Sequence, residues 1–396
     1  MHNATETRLE EQGVLASTVR MDRRTLMLRG AALGAGIVGV GGLSRLASAA
    51  QDATPDAATA AAGGSTAEIV EAANAFLDAL SDDERGSVLF AFDDAEQRQR
   101  WSNLPEGLYE RAGLMWGDLG DEPREEWLAL MRATLSEEGY GRVLAEWNAD
   151  DALAADSAAS TDGGPVTLLQ QGGPGGQLLF GMQYYWVAII GEPSETDPWQ
   201  WQWGGHHVTV NATVVGDQVA LTPSFIGVQP ATYTDADGNE VRPLGDIEDE
   251  AFALVNGLDD DQRTTAVLGD TYVDLVLGPG QDGKTLQPEG LPAADMTDDQ
   301  RDALLRLVGH YTGLANASAA AARQAEVEAD FDETCLAWYG STTQGEAAYF
   351  RVSGPTIVIE YSPQEMGGNA ANHIHGIYRD PTNDYGAKLT GTTLAS

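Results

Sequence analysis

The chain has 396 residues and carries 61 Asp plus Glu against 22 Lys plus Arg, a formal net charge of −39. Such acidity excludes a nucleic-acid binder, because phosphates are neutralised by a basic face, and it repels an anionic membrane surface as well. A hydrophobic content of 42% with nine Trp provides for a real core, while the single cysteine, Cys335, excludes an internal disulfide, a zinc ribbon and a CxxC redox motif.

Residues 1–49 read as a processing signal. Arg23-Arg24 precede the Gly-rich apolar run from Gly30 to Leu43, and Ala47-Ser48-Ala49 then supplies an A-x-A cleavage site. This resembles a twin-arginine export signal, so the expected location is extracellular or in the cell envelope. The run is too short for a stable membrane span. That export route carries folded proteins, often with a cofactor already loaded, which suits a metal.

Residues 50–66 are Ala, Thr, Gly, Pro and Asp with almost no large apolar side chain, and read as a flexible tether. Helical spacing follows from Glu68 to Leu80, and Ser81-Asp82-Asp83-Glu84 has the form of a capping box. Further helices are expected at Glu125–Leu135 and Tyr140–Ala154. Residues 154–177 form a Gly-rich insertion. Beyond it, β-branched and aromatic residues at Leu178–Ile190, Trp199–Trp203, His206–Val215 and Gln218–Ile226 suggest an antiparallel meander. Helical texture returns at Asp246–Leu268 and Thr297–Phe331. Strands return at Leu336–Tyr339, Ala348–Val352, Thr356–Tyr361 and Asn372–Tyr378.

Helices then strands, twice over, suggest duplication. Leu80 to Arg85 matches Leu258 to Arg263, and Leu119 to Arg124 matches Met296 to Arg301. Gly191, Gly205, Asn211 and Gly227 align without a gap to Gly340, Gly354, Glu360 and Gly376 at a constant offset of 149. The expected fold class is α+β, with two diverged pseudo-repeats at 67–228 and 229–386 fused into one body and a tail at 387–396.

Four histidines fall at two corresponding places, His206-His207 in the first half and His373-Ile374-His375 in the second. On a strand, residues i and i+2 face one way, so His373 and His375 project together, with Ile377 and Arg379 on the same side. By the same rule His206 and His207 diverge: His206 shares a core-like face with Val208 and Val210, and His207 joins Trp203, Thr209 and Asn211. The expected locus is therefore His207, His373 and His375, with Glu360 as fourth ligand or general base and Arg379 positioning a substrate. Three convergent imidazoles suit a single Zn, Cu or Fe ion, while an unmetallated polar cluster is the competing reading. The ring nitrogens of a metal site should lie roughly 3 to 4 Å apart, and His206 should point into the core. His310 follows a helical run and reads as packing or surface.

Trp199, Trp201 and Trp203 alternate along one strand face, where they would stack a small molecule or glycan, or else pack the sheet. No Gly-x-Ser-x-Gly elbow occurs, and Cys335 has no adjacent base, so a Ser or Cys nucleophile has no support. Three functions remain: a metal-dependent hydrolase or oxidase, a non-catalytic extracellular binder of a small molecule or glycan, and a structural envelope protein. Oligomeric state is not legible.

The Gly204-Gly205-His206-His207-Val208-Thr209-Val210-Asn211 run, the Phe180–Pro193 strand and turn, Phe350–Tyr361 and Asn372-His373-Ile374-His375-Gly376-Ile377-Tyr378-Arg379-Asp380 resemble an exported family known as domain of unknown function 3500. The resemblance extends from about Ile69 to Gly386 and implies the importance of the four histidines without implying an activity.

Overall fold

Several helices begin where a Ser, Thr or Asp is followed three residues later by Glu or Gln. In the computed structural model, which describes residues 64–159, 178–366 and 368–394, the capping boxes Ser65/Glu68 and Ser81/Glu84 open α1 (Thr66–Asp78) and α2 (Asp82–Val88). Each box satisfies two backbone donors that the first helical turn leaves free. A short strand β1 (Leu89–Phe90), helix α3 (Ala95–Arg98) and strand β2 (Leu114–Met115) lead to α4 (Asp121–Thr134) and α5 (Glu137–Ala159). The meander is β3 (Trp186–Ile190), β4 (Trp199–Gly204), β5 (Val208–Val215), β6 (Gln218–Ala220) and β7 (Ser224–Val228). A small ribbon, β8 (Tyr233–Thr234) with β9 (Glu240–Val241), precedes the second helical segment.

That segment repeats the first in outline. Helices α6 (Gly245–Asn256) and α7 (Asp260–Ala266) precede β10 (Val267–Gly269) and β11 (Leu291–Pro292), then α8 (Asp298–Thr312) and α9 (Ala317–Ala329). Capping boxes Asp259/Gln262 and Thr297/Gln300 open α7 and α8. Strands β12 (Cys335–Gly340), β13 (Ala348–Ser353), β14 (Val358–Pro363) and β15 (Ile374–Arg379) follow, and α10 (Ala387–Thr390) closes the described chain.

All the strands except the β8–β9 ribbon join one 13-stranded sheet, ten of them in the order β1-β3-β4-β5-β7-β15-β14-β13-β12-β10, with β2 paired to β3, β6 to β5 and β11 to β12. β7 and β15 are paired antiparallel at the centre. β1 runs parallel to β3 and β10 runs parallel to β12. Register is shared over three strands: Ile189 faces Trp201 and Gln202 faces Asn211, as Trp338 faces Phe350 and Arg351 faces Glu360. It departs at the fourth. Gly227 lies opposite His375 while Ile226 lies opposite Gly376. His375 therefore stands on the sheet face opposite to that of Ile226, the residue it aligns with, because a shift by one residue exchanges faces.

One face carries the main core under the helices. Trp201 meets Trp127 of α4 at 5.8 Å between ring centroids, Trp203 meets Trp147 of α5 at 4.9 Å, and Trp338 meets Phe252 of α6 at 5.0 Å. The helical layers touch where Leu135 bridges to Ala315. The other face is covered by irregular segments around residues 91–113, 270–290 and 380–394, with a small core of Trp101, Phe225, Ile377 and Tyr385. Among the described residues no helix is long and apolar enough to cross a membrane.

Several expectations are corrected. Helix α5 continues to Ala159 through the Ala-rich start of the expected insertion, since alanine is the best helix former. Residues 160–177, the export signal and most of the tether lie outside the described residues. Leu178–Tyr185 is not strand: Gly181 turns the chain at φ 119°, and Asp151 of α5 accepts the Met182 N–H at 2.7 Å. Each long helical run is two helices, divided by a new cap at Asp259 or Asn316. In the expected tail, Leu394 packs on the Trp101–Phe225–Ile377–Tyr385 core.

Candidate metal centre

His206 and His207 do not open a strand. They form the turn between β4 and β5, and His207 has a φ of 71°, a left-handed conformation uncommon for a residue with a Cβ. Gly205 permits the turn by lying flat on the Tyr185 ring, where a Cβ would approach within 2.8 Å, and the Tyr185 hydroxyl donates to the His206 carbonyl. His373 ends a single 3-10 turn, Ala370–Asn372, just before β15, and His375 lies within β15. Between the two histidine segments runs Gly227 of β7. A Cβ there would stand 2.9 Å from the carbonyl oxygens of both His207 and Ile374. A side chain at Gly227 would thus wedge apart the backbones that carry the cluster.

The three expected rings converge. His207 Nε2 lies 2.9 Å from His373 Nε2, which lies 3.0 Å from His375 Nε2. His373 is the middle member, and its Nδ1 donates to the Met366 carbonyl at 2.6 Å. That bond leaves the His373 Nε2 as a bare lone pair. His207 Nδ1 faces the Asp150 carboxylate at 3.3 Å; the contact is not a well-aligned hydrogen bond, but the negative charge favours the proton on Nδ1. With the proton on His207 Nε2 the 2.9 Å contact is an N–H···N hydrogen bond; with the proton on Nδ1 two lone pairs face each other, an arrangement that a cation between them would relieve.

The environment keeps these rings neutral and available. Burial pushes His207 down to about 4, with the neighbouring His206 adding to the effect and Asp150 opposing it. Burial, with His207, brings His373 to about 3 and holds His375 well below the usual range together with His373. Burial alone would raise Asp150, but His206 and His207 override it and pull the carboxyl down to about 2. The cluster is therefore backed by an ionised carboxylate with 1% of its side chain exposed. His375 is the partly exposed member, and Asn103 Nδ2 lies 3.4 Å from its Nδ1.

His206 corrects the expectation of divergence. Its ring lies against that of His207, tilted by 36° with 3.4 Å between centroids, and its Nδ1 lies 2.8 Å from Asp150 Oδ1. A turn, unlike a strand, does not alternate its side chains. Asp150, His206 and His207 thus form a second group of possible ligands sharing His207 with the first.

The remaining candidates are used elsewhere. Glu360 is fully buried and accepts from the Val276 and Leu277 N–H groups at 2.9 and 2.7 Å and from the Tyr349 hydroxyl at 2.6 Å. Arg379 donates to the carbonyls of Leu277 and Gly278 and pairs with Asp282 and Asp384. Together they grip one peptide segment from its N–H and C=O sides, and Glu360 is not among the groups gathered at the histidines. Trp199, Trp201 and Trp203 have no exposed surface, so they pack the sheet against the helices and cannot stack a ligand. His310 lies beside Glu138 and Asp246, where Arg142 already supplies a cation.

Asp150 and Asn103 were missed in the sequence. Asp150 had a readable signal: it continues the stripe Val143, Trp147, Leu153 of α5, and those three are buried. A carboxylate on a core stripe requires a partner. Asn103 sits in an irregular loop with no periodicity to read.

No curated protein and no solved structure is similar to the chain. One family profile matches it, over residues 62–387, a span that includes all four histidines and both halves of the sheet. The chain belongs to that family, described as protein of unknown function (DUF3500).

Proposed function

We propose that the protein is an exported metalloprotein in which His207, His373 and His375 hold one transition-metal ion, and that it acts on a small molecule as a metal-dependent hydrolase or oxidase. The observation that carries this reading is the convergence of three Nε2 atoms at 2.9 and 3.0 Å, with the Nδ1 of His373 committed to a carbonyl and that of His207 turned to a carboxylate. Bonds of about 2.1 Å to nitrogens about 3.0 Å apart meet at nearly a right angle, whereas a tetrahedral site would set them about 3.4 Å apart. Asp150 and the Met366 carbonyl are the kind of outer partners that fix the tautomer of a ligating histidine.

Neutral ligands leave the charge of a divalent ion uncompensated, and such an ion acidifies bound water or binds oxygen, according to its identity. Zn directs the site to hydrolysis and Cu or Fe to oxygen chemistry. With the Trp row buried, the glycan-binding alternative has lost its platform. We read the mirrored order of elements as two diverged halves that meet at β7 and β15, with the site built where they meet. The arginine pair and A-x-A site support export, and N-terminal sequencing of exported material should find the chain beginning near Ala50.

Metal binding is tested by equilibrium dialysis of chelator-treated protein, without a His tag, against Zn, Cu and Fe. Binding of one equivalent supports the reading. Failure to bind any of the three above background overturns it.

A further inference from the structure

Among the described residues, five large apolar side chains are exposed: Leu104, Leu108, Leu268, Val276 and Met366. Single exposed hydrophobics need no explanation, but their clustering does. Three of the five sit on the two segments that flank the histidines. Leu104 and Leu108, 42% and 47% exposed, belong to the loop whose Asn103 reaches His375. Met366, the most exposed at 60%, lends its carbonyl to His373.

The loop is held in place rather than free. Arg111 donates one Nη2 to the carbonyls of Ser102 and Leu104, on either side of Asn103. Farther along, Glu106 bridges to Leu179, and the next residue, Phe180, packs its ring 5.0 Å from His206. Residues 103–108 therefore run from His375 across to the wall beside His206. Behind them Phe225 closes on His375 at 5.3 Å. The partly exposed His375 is thus reached by the loop that carries the two leucines, and its neighbour His373 by the segment that carries Met366.

We infer that the site takes a substrate with an apolar chain or ring, uncharged or cationic at its other groups, whose apolar part lies across Leu104, Leu108 and Met366 while its polar end meets the metal. This rests on the metal-centre reading above. Apolar side chains held open to water gain by being covered, and those carried on the two segments that touch the histidines are where a substrate would cover them. Charge selects further. A protein of net charge −39 repels an anionic substrate on approach and attracts a cationic one.

The test uses the metal-loaded protein and two uncharged metal-binding probes of different length, acetohydroxamic acid and octanohydroxamic acid, titrated calorimetrically. Octanohydroxamic acid should bind at least about 30-fold more tightly, the gain expected from covering a few methylenes. The Leu104→Ser/Leu108→Ser variant should reduce that ratio to about threefold or less, and Met366→Ser should reduce it from the opposite rim. These are exposed positions, where polar substitutions leave the fold intact. Octanoate, the anionic counterpart, should bind more weakly than octanohydroxamic acid at low salt. Equal affinity for the two hydroxamic acids, or a ratio that survives all three substitutions, would overturn the inference while leaving the metal centre standing. Octanoate binding as tightly as octanohydroxamic acid would overturn the charge selection. Protein that takes up no metal would instead overturn the reading beneath it.

Discussion

Helix α5 buries two carboxylates one turn apart, and they meet opposite fates. Asp150 sits under His206 and His207, and its carboxyl is pulled down to about 2 although burial alone would raise it. Glu146 is as deeply buried, yet both its oxygens lack a partner, and burial holds its carboxyl well above the usual range against the pull of Arg142. Arg142 is one turn away but spends its guanidinium on Asp246, at 2.9 and 2.8 Å. Burial is common to both acids; the partner decides. A buried charge is retained only where neighbours stabilise it, so the ionised Asp150 marks the end of α5 that serves the histidines, and the neutral Glu146 marks a stretch that serves nothing comparable.

The comparison is broken most forcefully at Asp150. Asp150→Asn keeps the shape and removes the charge behind His207, so metal affinity should fall about 10- to 100-fold, the usual loss when an outer partner of a ligand is removed. Dialysis against buffered metal reads this directly, and an unchanged affinity would make Asp150 a structural residue only. Gly227→Ala should come next. Its methyl would sit 2.9 Å from the backbones of His207 and Ile374, and the required shift should lower stability by about 1–3 kcal/mol in chemical denaturation while weakening metal retention. A loss of stability with metal binding intact would show that β7 does not set the spacing of the histidines.

Opposite pH responses sharpen the contrast. The metal-free protein should lose stability as pH falls from about 6.5, because unfolded histidines take up protons that His207 and His373, lowered to about 4 and about 3, refuse. Asp150 adds a further loss as pH falls from 3.8 towards about 2, where the unfolded carboxyl is protonated and the folded one is not. Glu146 works the other way: its folded carboxyl holds a proton that the unfolded one releases above about 4.5, so its contribution is lost as pH rises. Glu146→Leu should therefore stabilise the protein at pH 8, by about 1–2 kcal/mol, with a smaller gain at pH 5. Thermal unfolding at the two pH values checks the sign, and destabilisation at pH 8 would mean that Glu146 has a partner in solution.

Much of this was legible from residue order. Ser81 followed three residues later by Glu84 marked the start of α2, while the alternation of Trp199, Trp201 and Trp203 along β4 left both sheet packing and ligand stacking open. His373 and His375 were placed together by the period of a strand alone. His206 and His207 were not, because two glycines before them make a turn, and a turn does not obey that period. Glu360 and Arg379 were read as site chemistry because they lie on histidine-bearing or neighbouring strands. Which loop they grip is a long-range contact that spacing does not encode. Asp150 lies 56 residues before His206, yet its place on an otherwise apolar stripe was visible in the helix itself.

The central claim is that three histidines from two distant segments hold one ion. Elemental analysis of protein purified without a His tag, beside its His375→Ala variant, tests it most directly. The account predicts about one transition-metal ion per chain in the wild type, and none in a variant that keeps its circular dichroism spectrum. Wild-type protein free of metal, or a variant that retains the same metal content, would contradict it.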